Sequence, residues 1–94
     1  MSESSTRPVI AVGIGEVCTL AGAHEALRAL LPKRTAPASE WEHFYRQSSR
    51  VYAAVAEVDK AHHHEALGYW SNRTREIADE ISRTGQVPTF RFEF

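Results

Sequence analysis

Between Ser39 and Thr84, apolar residues recur at the 3.6-residue period of an amphipathic helix. In the first half, Trp41, Phe44, Tyr45, Ser48, Val51, Tyr52, Val55 and Val58 share a face, with Glu42, His43, Arg46, Arg50 and Glu57 opposite. In the second half the stripe is His63, Ala66, Leu67, Trp70, Thr74, Ile77, Ala78 and Ile81, with His64, Gly68, Ser71, Arg75, Asp79 and Ser82 opposite. Ser48 is the small polar gap in the first stripe, where a partner helix can come close. Ser39 and Glu42 predict the helix start as a capping box, each side chain bonding an amide that the first turn leaves open. Gly85 predicts a left-handed C-cap, and Pro88 blocks continuation.

Two arrangements compete at Asp59. In one, Asp59 caps a new helix and the halves fold back as an antiparallel hairpin. In the other, a single helix runs through. The stripes keep phase across Asp59, and no Gly, Pro or Asn interrupts the chain from Ser39 to Gly68, which suits one helix. Yet a helix of about 45 residues is roughly four times the usual length, and its stripe needs a second chain to cover it. The hairpin is therefore the preferred expectation.

Thr19–Leu31 reads as a first helix, with Leu20, His24, Leu27 and Leu31 on its apolar side and Ala23 and Leu30 beside them. Pro32 ends it, because the residue before a proline avoids helical geometry. Lys33 and Arg34 follow where a helix C-terminus favours cations. Val9–Gly15 reads as a short buried strand. At the other end Phe90, Phe92 and Phe94 alternate with Thr89, Arg91 and Glu93, the pattern of a half-buried strand. Met1–Arg7, Ser-rich and polar, is expected to be a flexible tail. The expected fold is mainly α: a single small helical domain over 1–94. It has three helices at about 19–31, 40–58 and 60–84, the last two a hairpin or one long helix, and short N- and C-terminal β-strands.

Composition narrows the functional classes. Eleven basic and twelve acidic residues leave a net charge of −1, which argues against a dedicated nucleic-acid binder. No stretch nears the roughly 18 apolar residues of a membrane span, and Met1–Thr6 lacks the layout of a signal peptide. One cysteine makes no internal disulfide, so a cytoplasmic location is the default.

The run His62-His63-His64 is the most conspicuous chemistry. Consecutive helical residues point about 100° apart, so three in a row cannot grip one ion. Asp59 with His62 or His63 has the helical spacing of carboxylate–histidine metal ligands. Helical metal bundles need two such motifs, so a site on Asp59, His62 and His63 requires a homodimer. The competing reading is a polar helix start. Gly13-Ile14-Gly15 begins a dinucleotide fingerprint but lacks its third glycine, which falls at Cys18. Cys18 with His24 or His43 is a conceivable thiol pair, though a lone cysteine is more often a packed hydrophobe. The aromatic residues sit mostly on apolar stripes, where core packing accounts for them more simply than base stacking. No catalytic residue and no cofactor is assigned.

The runs Ser39-Glu40-Trp41, Arg46–Tyr52, Val55–Asp59 and His62–Leu67 resemble a family of short actinobacterial proteins of uncharacterised function, over roughly residues 20–82. The resemblance implies a cytoplasmic bacterial protein and supplies no catalytic residues. A Pro or Gly often follows the equivalent of Asp59 in that family, which implies a hairpin; Lys60-Ala61 departs from this. The family does not generally share the two strand-like ends. The functional expectation is a non-catalytic interaction or regulatory module that binds another protein or itself, with Phe90, Phe92 and Phe94 as candidate contact residues. The alternatives are a metal-binding homodimer and, more weakly, a small enzyme or enzyme subunit.

Overall fold

The computed structural model describes residues 17–88. The strand-like segments, the N-terminal tail and Phe90, Phe92 and Phe94 lie outside those residues.

Helix α1 spans Leu20–Ala29. Thr19 is its N-cap, with Oγ1 accepting the Gly22 amide at 2.9 Å. The helix ends two residues before the expected Leu31. Leu30 leaves helical geometry (φ −104°, ψ 7°), and its amide closes back on Leu27. Leu31, expected on the apolar side, is exposed as a result. The buried face is Leu20, Ala23, Ala26 and Leu27.

Helix α2 spans Ala38–Val58. The capping box expected at Ser39 is not formed. Pro37 is the N-cap (φ −67°, ψ 158°) with no side-chain cap, and its carbonyl accepts the amides of Glu40 and Trp41. The proline ring holds the residue in extended geometry at the boundary, which starts the helix one residue before Ser39. The apolar stripe is otherwise as expected: Phe44, Tyr45, Val51, Tyr52 and Val55 are buried, and Ser48 is closed off completely. Val58, at the last turn, is exposed.

At Asp59 the chain turns (φ −95°, ψ 79°) through a short 3₁₀ segment, Lys60–His62. It then enters α3 (63–84), built of an α-helical His63–Glu65, a π-helical Ala66–Ser71 and an α-helical Asn72–Thr84. The junction residues Glu65 and Asn72 keep right-handed helical dihedrals, so the rod is continuous. Three contacts give its direction: the Ala56 carbonyl meets His63, Ser49 meets Ser71, and Arg46 meets Asp79. Positions rise along α2 as they fall along α3, so the pair is an antiparallel hairpin. An unbroken rod would be roughly 68 Å long at 1.5 Å per residue; the longest extent is 42 Å. Gly85 ends α3 in the left-handed region (φ 75°), its amide reaching the Ile81 carbonyl at 2.7 Å.

The π-helical turn changes which residues face inward. Ala66 and Ser71, five apart, are both buried, a spacing that suits i→i+5 winding. Leu67, expected in the stripe, is 40% exposed, and Ser71, expected outside, is 4% exposed. Inside, a hydroxyl seam replaces apolar packing. Ser49 Oγ donates to the Ser71 carbonyl at 2.9 Å, and Ser71 Oγ donates to the Ser49 carbonyl at 3.0 Å. Thr74 Oγ1 reaches the Trp70 and Ser71 carbonyls. Small side chains let the two backbones approach there, and every buried hydroxyl in the seam has a partner. Beyond it, Ile77, Ala78 and Ile81 carry the apolar contact onward.

Candidate functional site

The head of α1, the turn after α2 and the π-helical turn converge at one end of the hairpin, and most of the polar side chains singled out from the sequence lie there. Asp59 forms no side-chain cap bond at the head of the 3₁₀ segment that follows it. Its Oδ2 instead accepts the amide of Leu20 at 2.8 Å. Asp59 thus caps α1 from a distance, alongside the local Thr19 cap, and its negative charge sits at the positive end of that helix. His62 Nδ1 lies 3.0 Å from both carboxylate oxygens. The Leu20 amide first, and His62 second, hold the Asp59 carboxyl below its ordinary value.

His63 points elsewhere. Its Nδ1 lies 2.7 Å from the Ala56 carbonyl, where the ring donates to one of the last carbonyls of α2. The structure therefore brings Asp59 and His62 together and commits the Nδ1 of His63 to the backbone. Among the described residues there is no group of three or more His, Cys, Asp or Glu side chains placed to hold a metal ion.

A second constellation joins all three helices. His24 of α1 has Nδ1 2.8 Å from the Tyr52 hydroxyl of α2. Its ring also meets Trp70 of α3 edge-on, with centroids 4.3 Å apart, and Tyr52 lies 5.6 Å from Trp70. Tyr52 is fully buried, and Trp70, expected to be buried, is half-buried against the core. Burial, and after it the charge of Arg28 one turn along α1, lowers the pKa of His24; Glu65 opposes them. Burial pushes the Tyr52 phenol well above its ordinary value, so it keeps its proton.

Each member of this joint was visible in the sequence as a stripe residue, but nothing paired them. The available signal was His24 itself, since a polar ring among Leu20, Ala23 and Leu27 needs a buried partner. The exposure of Leu67 and Tyr69 was also missed; Gly68 between them, with open space where a Cβ would stand, marks how far this turn projects.

Elsewhere the sites thin out. Cys18 is exposed beside a shallow depression of about 440 Å³ along α1, bordered by Thr19, Gly22 and Glu25. The Nδ1 of His24, its suggested base, faces Tyr52 instead. Trp41, Phe44 and Tyr45 pack on one another at the start of α2, with centroids 5.4–6.1 Å apart. No helix among the described residues is long and apolar enough to cross a membrane. Compared with known proteins, the chain matches no family model, no curated protein and no solved structure.

Proposed function

We propose that this chain is a non-catalytic interaction module that docks on another protein or on a second copy of itself, in a cytoplasmic setting. The observation that carries the reading is the π-helical turn, which leaves Leu67 40% and Tyr69 53% exposed while the polar groups around it are spent on structure. Tyrosine is a residue type that anchors interfaces, and the nearby leucine extends the apolar surface around it. Asp59, His63 and His24 are engaged in holding helices together, which is not the arrangement of a reacting centre. The alternation of Phe90, Phe92 and Phe94 in the sequence adds a second set of candidate contact residues, since alternate aromatic residues suit strand addition to a partner. Sizing across a concentration series, with and without a L67S/Y69S double substitution, tests it. Concentration-dependent dimerisation that the substitutions abolish supports self-association. A wild-type monomer calls for co-purification from the native host, where a partner lost with the substitutions supports the heterologous form. A monomer that recovers no partner overturns the reading.

The Asp59–His62 pair favours a second reading, a metal shared across a homodimer. Added Zn²⁺ would then raise the melting temperature by mass action, and an H62A substitution would remove that rise.

A further inference from the structure

We propose that His24 is a pH-sensitive latch that fastens α1 onto the hairpin while neutral and loosens it when protonated. The geometry carries the proposal. One imidazole touches both other helices, through the Tyr52 hydroxyl at 2.8 Å and the Trp70 ring at 4.3 Å. In the Nε2–H tautomer, Nδ1 accepts the hydroxyl proton of Tyr52. Protonation turns Nδ1 into a donor, so the hydroxyl must reverse and accept. Tyr52 is fully buried and holds its proton, so the reversal takes place away from water.

The charged and titratable groups around the ring come from all three helices. Arg28 lies one turn along α1 and repels an imidazolium. Tyr52, from α2, stays neutral. Glu65, from the start of α3, attracts the imidazolium, but burial and Arg28 outweigh it. The unfolded chain therefore takes up the proton at a higher pH than the folded one. The joint's contribution is complete above the ordinary value of 6.5 and is lost as pH falls from there through the lower folded value.

The loss falls on α1 in particular. Ten residues are too few for an isolated helix to persist in water, so α1 depends on its docking. Loosening it uncovers the Tyr52–Trp70 face of the hairpin, a change within the physiological acid range that histidine alone senses without a large shift. The device stands apart from the interaction reading, because it requires no partner.

The test is a histidine titration of the intact chain by NMR from about pH 8 to about pH 5, with amide-exchange protection factors for α1 and α3 measured at both ends. The expected result is a His24 titration below 6.5, with protection lost across Leu20–Ala29 while Asn72–Thr84 keeps its own. A H24L/Y52F double substitution, which keeps the volume apolar, should abolish the selective loss. A His24 titration at or above 6.5 overturns the latch, because Glu65 and the Trp70 ring would then hold the imidazolium. Equal loss in both helices overturns it as well, as does a selective loss that survives the double substitution. If that variant does not fold, the wild-type titration and protection pattern decide alone.

Discussion

The α2–α3 contact and the docking of α1 are built on different physics. The hairpin buries Phe44, Val51, Val55, Ile77 and Ile81 and joins its two backbones through a neutral hydroxyl seam. Helix α1 contributes two leucines and two alanines, and its polar fastenings are titratable: the Asp59 carboxylate on the Leu20 amide and the His24 ring on Tyr52. Burial of large side chains is insensitive to pH and cooperative, whereas a carboxylate and an imidazole carry their stabilisation only in one protonation state. The difference teaches that one small domain can hold a stable frame and a conditional third helix.

The comparison breaks most visibly in the core of the frame. Ile81→Ala should cost about 3 kcal/mol by leaving a cavity at the α2–α3 contact, and should lower the protection of α2 and α3 together in denaturant-melt and exchange data, with α1 still exchanging through its own opening. Next comes the seam. Ser49→Leu forces a branched side chain between two backbones joined by reciprocal hydroxyl bonds, and should cost about 2 kcal/mol in the same melt. Tyr52→Phe removes the hydroxyl that meets His24. Its cost should be about 1 kcal/mol, and it should appear as faster exchange in α1 with α3 little changed.

Acid sharpens the contrast in two separate windows. His24, whose pKa is lowered by folding, withdraws its stabilisation as pH falls from 6.5 through its folded value. Asp59, also lowered, keeps its contribution above the ordinary 3.8 and loses it as pH falls through a folded value below that. A melting-temperature profile should therefore fall first in the imidazole range and again at acid pH, with D59N removing the second step only. The smallest effect is expected on the projecting turn: L67S should move monomer stability by about 0.5 kcal/mol, because Leu67 lies at the surface, 40% exposed, and shortening it opens no enclosed cavity.

Much of the frame is legible in the sequence. The stripe of α2 from Phe44 to Val55 needed only helical periodicity, and Gly85 needed only its freedom to adopt positive φ. The hairpin was favoured over the rod mainly by helix length and by the stripe that a rod would leave uncovered, although the phase of the stripes pointed the other way. Other features were not legible. Periodicity arguments assume one winding, so the π-helical turn that swaps Leu67 for Ser71 could not be read from a 3.6-residue count. The Ser39 capping box failed because local spacing does not reveal that Pro37 already occupies the boundary. Asp59 was singled out for its position, but its partner, the Leu20 amide, is 39 residues away in sequence. Long-range pairings of this kind, like that of His24 with Tyr52, leave no periodic trace.

The most direct test of the frame-and-third-helix account is native-state hydrogen exchange at neutral pH across a series of sub-denaturing urea concentrations. The account predicts that amides of Leu20–Ala29 exchange through an opening of lower free energy and smaller urea dependence than those of Asn72–Thr84, which should exchange only by global unfolding. If the amides of both helices converge on one free energy and one urea dependence from the lowest concentration upward, the domain opens as a single unit and the distinction between frame and conditional helix is wrong.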